Sequence, residues 1–128
     1  MITPIIYPSA EPIPQPTFGY SHPLKTAWKK NMLPQVKKGF YGERLTAKNV
    51  SLEHLKPKSQ KGETKWHNLV LASNKINNER GDKPLSEYIN FKAMGEYLDQ
   101  FKNIKIKGFD GNRYIAMILE TVGGLLNV

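Results

Sequence analysis

The spacing of apolar residues changes several times along the chain, and each change marks an element. Leu24, Trp28 and Met32 recur at helical spacing with lysines between them, which predicts a short amphipathic helix over 24–33 that stops near Pro34. The segment VKKGFYGERLTAKN is turn-like because of Gly39 and Gly42. Two short runs free of glycine and proline follow, Val50 to Leu55 and Asn68 to Ala72, joined by the loop KPKSQKGETKW with its Pro57 and Gly62. They predict a long-looped antiparallel hairpin. Ser73 is placed to cap a short helix ended by Gly81, with Pro84 beyond as a second stop. Farther on, Tyr88, Ile89, Met94, Tyr97, Leu98 and Phe101 predict a helix over Ser86 to Phe101, and Tyr114, Ile115, Ile118 and Leu119 predict another over Asn112 to Thr121.

The fold class expected from this order is α+β, a hairpin-plus-helix core covered by further helices. Before it, residues 1–23 carry Pro4, Pro8, Pro12, Pro14, Pro16 and Pro23, which remove backbone donors and predict an extended, proline-rich arm. The remainder, 24–128, is expected to form a single domain, with the hairpin and its helix over about 48–82 and the C-terminal helices over 86–121.

Charge changes the picture more than composition does. The chain has 128 residues and a net charge of +8. Between positions 25 and 65 stand 11 lysines and arginines against 3 glutamates, so this segment carries the whole excess and the rest of the chain cancels. A concentrated basic segment points to a polyanion such as DNA, because solubility alone does not require the charge to be gathered in one place. No cysteine is present, which excludes disulfides and thiolate zinc and leaves any metal to oxygen and nitrogen ligands. Apolar runs such as YIAMIL are too short for a membrane span, and MITPIIYPSAEP lacks the features of a signal peptide. The expected location is intracellular, in the cytoplasm of a bacterial or phage-infected cell, with no membrane partner.

Candidate chemistry lies in SLEHLKPKSQKGETKWHNLVLASNKINNERGD, Ser51 to Asp82. Asparagine favours neither helix nor strand, so four of them around two core-forming runs carry a local cost that suggests a site. The order Glu53-His54, Pro57, Ser59, Gly62, Asn68-Leu69-Val70-Leu71, Asn77, Arg80, Gly81-Asp82 resembles the HNH endonucleases, which have the ββα-metal nuclease fold. The resemblance covers the middle third of the chain and implies a metal-dependent phosphodiester hydrolase acting on DNA.

By that resemblance His54 is the general base that takes a proton from water, a task suited to an imidazole that titrates near neutrality. Glu53 and Asn77 would hold the divalent ion, and an oxygen set of this kind favours Mg²⁺ or Mn²⁺ over Zn²⁺. Asn68 would brace the long loop and hold the histidine in register. Lys56, Lys58, Lys61 and Lys65 on the loop and Arg80 at the helix end would contact phosphates. The chain is then a His-Asn-Asn variant. It lacks the paired cysteines with which many members bind structural zinc, so packing by Phe40, Tyr41 and Leu71 is expected in their place. It also has Lys61-Gly62 where members often have two glycines. Regular strand alternation would send Glu53 and His54 to opposite faces, so the strand is expected to end or distort there. His67 reads as structural or phosphate-contacting. The rival reading is a non-catalytic nucleic-acid-binding module with a degenerate HNH fold. An adaptor that uses its basic face against an acidic protein is a third.

Overall fold

The structure, a computed structural model, describes residues 31–105 and 109–126. The proline-rich arm and most of the first expected helix, including Leu24 and Trp28, lie outside the described residues. Asn31 and Met32 are helical and the chain turns at 33–35, where Pro34 interrupts it.

Two strands, β1 (Val50–His54) and β2 (Leu69–Ser73), pair antiparallel with Leu52 opposite Leu71 and His54 opposite Leu69. The connection holds two short 3-10 turns, Lys58–Gln60 and Trp66–Asn68. β2 runs straight into α1 (Asn74–Arg80), whose first turn is capped by Ser73 Oγ accepting from Ile76 N. Gly81, at φ 55°, ends the helix, and its N–H closes onto Asn77 O. A two-stranded sheet leaves the outer edge of a fully buried strand needing partners. Here other segments supply them. Phe40 N donates to Leu71 O, Tyr97 Oη accepts from Leu71 N, Tyr114 Oη donates to Leu69 O, and Glu43 Oε2 accepts from Ser73 N.

The helix expected over Ser86–Phe101 is divided. A 3-10 turn at Leu85–Glu87 is followed by a break, and α2 (Phe91–Asp99) starts afresh with Asn90 Oδ1 accepting from Ala93 N. The last helix, α3 (Gly111–Leu126), is longer than the expected 112–121 at both ends. Tyr97, Phe101 and Tyr114 form the aromatic centre of the core, with Phe101 5.0 Å from Tyr97 and 4.7 Å from Tyr114 between ring centroids. The mixed α+β class is thus the observed one. No helix among the described residues is long and apolar enough to cross a membrane.

Candidate active site

The motif residues lie along β1, the loop that follows it and α1, in three separate hydrogen-bond systems. Asn68 organises the first. Its Oδ1 accepts from Lys56 N at 2.8 Å, while Nδ2 donates to Lys56 O at 3.0 Å and to Glu63 O at 2.8 Å. One buried amide therefore ties both ends of the long loop together. Gly62 fits beneath this arrangement only because it has no side chain: a Cβ there would lie 1.7 Å from Lys56 O and 2.9 Å from Pro57 O, both backbone atoms. Gly62→Ala is accordingly expected to destabilise the protein by about 2–3 kcal/mol in a denaturant titration. Gly95→Ala, on the exposed face of α2 with nothing within 4 Å of the new Cβ, should instead stabilise it by about 1 kcal/mol.

Lys61 takes a left-handed conformation, φ 68° and ψ 26°. A lysine in that region costs about 1–2 kcal/mol over glycine, so the loop keeps a cation there at an energetic cost. Lys56, Lys58, Lys61 and Lys65 are all exposed. Lys65 lies 3.6 Å from Glu63, which also pairs with His67 at 3.2 Å. Lys56, Lys61 and His67 line an open cleft of about 500 Å³ against Glu120 and Thr121 of α3.

The second system surrounds Asn77. Its Nδ2 donates to Ser51 Oγ at 3.0 Å and to Leu52 O at 3.4 Å, so the side chain faces β1, whereas Asn74 and Asn78 are exposed. With the nitrogen spent on the strand, the carbonyl oxygen is the ligating atom that remains.

The third is a buried ion pair. Arg80 Nη1 contacts Glu53 Oε2 at 2.9 Å, with the two side chains only 1% and 2% exposed. The same guanidinium donates to His54 O at 3.2 Å and to Leu55 O at 2.7 Å, and Nε donates to Lys83 O at 3.0 Å. The expected phosphate contact from Arg80 is corrected by this finding: the side chain is enclosed, and its donors go to the end of β1 and to Lys83. Tyr41 Oη donates to the same Glu53 oxygen. Burial, reinforced by the Glu53 charge, pushes the Tyr41 phenol well above its ordinary range, which keeps it a donor. Burial also drives the Glu53 carboxyl upward, against the pull of Tyr41 and Arg80. Spacing offered no sign of Tyr41 as a site residue, because it reaches Glu53 from a separate loop. That loop is pinned by the Lys38–Arg44 bridge, by Phe40 on Leu71 O, and by Gln100 of the α2 end, which bonds the backbone of Lys37 and Lys38.

His54 is the last residue of β1, where the strand was expected to end, and its Nε2 lies 2.9 Å from Thr64 Oγ1 across the loop. The imidazole and the Glu53 carboxylate thus have different neighbours. No cluster of three or more His, Asp or Glu side chains suited to a metal occurs among the described residues, but the expected ligands, one carboxylate and one amide, would not make one. The observation that bears on a metal is Glu53 Oε1, which is buried and has no hydrogen-bond partner. An orphaned carboxylate oxygen and an amide carbonyl are hard donors that fit Mg²⁺ or Mn²⁺.

Comparison of the chain with protein-family models, with curated proteins and with solved structures finds no match.

Proposed function

We propose that the protein is a metal-dependent endonuclease of the HNH type, with β1, β2 and α1 as a ββα-metal core, hydrolysing phosphodiester bonds in DNA. The observation that carries this reading is the Asn68 brace: the middle asparagine of the motif spends its whole amide on holding the loop beside His54, the task the resemblance assigns to it. Asn77 adds to it, being the one asparagine of α1 whose side chain reaches β1.

Hydrolysis needs a base for water, charge neutralisation at the phosphate and stabilisation of the leaving 3′ oxygen. His54 supplies the first. Its Nε2 lies 2.9 Å from Thr64 Oγ1, a contact that orients the ring from across the loop. Glu53 and Asn77 would hold Mg²⁺ or Mn²⁺, which when bound supplies charge neutralisation. Lys56, Lys58, Lys61 and Lys65 position the DNA backbone without reading sequence.

Two protein oxygens bind an ion weakly, so cleavage of supercoiled plasmid should require added metal and stop reversibly with chelator. Asn77→Ala should raise the metal concentration for half-maximal cleavage by about 10-fold or more, and Asn78→Ala should leave it unchanged. Equal effects at both positions would contradict the ligand assignment. Metal-independent binding to DNA without cleavage would favour the non-catalytic module.

A further inference from the structure

Tyr41 and Arg80 approach Glu53 from opposite directions, one from the Lys38–Arg44 loop and the other from the end of α1, yet both donate to the same oxygen, Oε2. The other oxygen, Oε1, is buried and receives no hydrogen bond. Ordinarily a buried carboxylate distributes its donors over both oxygens, because an unsatisfied one costs about 1–3 kcal/mol. We propose that Tyr41 and Arg80 are positioning residues that together occupy Oε2 and so reserve Oε1 for the divalent ion. This inference rests on the nuclease reading.

Two donors on one oxygen fix both the rotation of the carboxylate and the direction of its second oxygen, as outer partners of metal ligands do elsewhere. Both donors are themselves rigidly held. Tyr41 packs edge-on against Phe40 at 5.0 Å and Tyr88 at 6.4 Å between centroids, and its backbone N–H is bonded to Glu43 Oε1. Arg80 also grips the carbonyls of His54 and Leu55, so the guanidinium that turns the carboxylate also sets the strand end that carries the base. A carboxylate shared with a guanidinium is a weaker anion for a cation. The free protein should therefore hold its ion loosely, with substrate phosphate completing the coordination.

Tyr41→Phe removes the hydroxyl and keeps the ring. The test is a Mn²⁺ titration of the free full-length protein followed by electron paramagnetic resonance, beside thermal melting and plasmid cleavage over a range of metal concentrations. The expected result is about 10-fold weaker Mn²⁺ binding and a matching rise in the metal needed for cleavage. A merely structural role would lower the melting temperature and leave Mn²⁺ affinity unchanged. That outcome, with wild type binding and cutting normally, overturns the inference alone. Wild type that neither binds Mn²⁺ nor cuts overturns the nuclease reading and the inference with it. Should Tyr41→Phe prove too unstable at the assay temperature, the same Mn²⁺ titration is run on it in the cold with a stabilising osmolyte and read in the same way.

Discussion

Replacing His54 by alanine is expected to lower DNA cleavage by about 10²–10⁴-fold, the contribution usual for a positioned general base. The fold should survive the change. His54 contributes its backbone to β1 through pairing with Leu69, and the strand end is held further by Leu55 N on Asn68 O and by Arg80 on the His54 and Leu55 carbonyls. None of these bonds uses the imidazole. The ring is half-buried, and loss of its contact with Thr64 should cost about 1 kcal/mol. DNA affinity, which the proposed function assigns to the loop lysines, should stay near that of wild type in a gel-shift titration. Cleavage by purified His54→Ala protein at the wild-type rate would remove His54 from the mechanism.

Arg80→Ala is expected to be the most damaging single change to stability, at about 3–5 kcal/mol. Removing the guanidinium leaves Glu53 as an uncompensated buried charge and strips donors from the carbonyls of His54, Leu55 and Lys83. Small domains have about 5–15 kcal/mol in all, so the loss would show as a large fall in urea midpoint. The partner change Glu53→Gln should cost less, since Arg80 keeps its three carbonyl acceptors. Combining Glu53→Gln with Arg80→Met should recover part of the loss from Arg80→Ala, because it removes both buried charges and refills the space. A cost below about 1 kcal/mol for Arg80→Ala would mean that the pair behaves as an exposed one.

Local chemistry made much of this fold legible. The glycine- and proline-free runs mark both strands to within a residue, and Ser73 and Gly81 bound α1 as their capping preferences require. The break before α2 was masked because Tyr88 and Ile89 fit the helical period, and Ser86 is as good an N-cap as Asn90, which the structure uses. α3 runs on through Gly123 and Gly124, each costing about 1 kcal/mol in a helix. Burial of Val122 and partial burial of Leu125 and Leu126 offset that cost, and no local pattern announces it.

The site divides in the same way. His54, Asn68 and Asn77 stand out through the resemblance of their order to the HNH motif, and the structure gives each a distinct set of partners. Arg80 was misread because a basic residue in a basic chain looks like surface, whereas its burial is decided by Glu53, 27 residues away in sequence and adjacent in space. Tyr41 was hidden for the same reason, being brought to Glu53 by contacts of its own loop with β2 and α2.

Metal-dependent hydrolysis of DNA by the proposed site can be assayed by incubating supercoiled plasmid with the purified protein in Mg²⁺ or Mn²⁺, in excess chelator, and after metal is restored, with His54→Ala carried through the same steps. Relaxed or linear product is expected with either metal, none in chelator, recovery on restoring metal, and none from His54→Ala. Intact plasmid under every condition, or equal cutting by wild type in chelator and by His54→Ala, would contradict it.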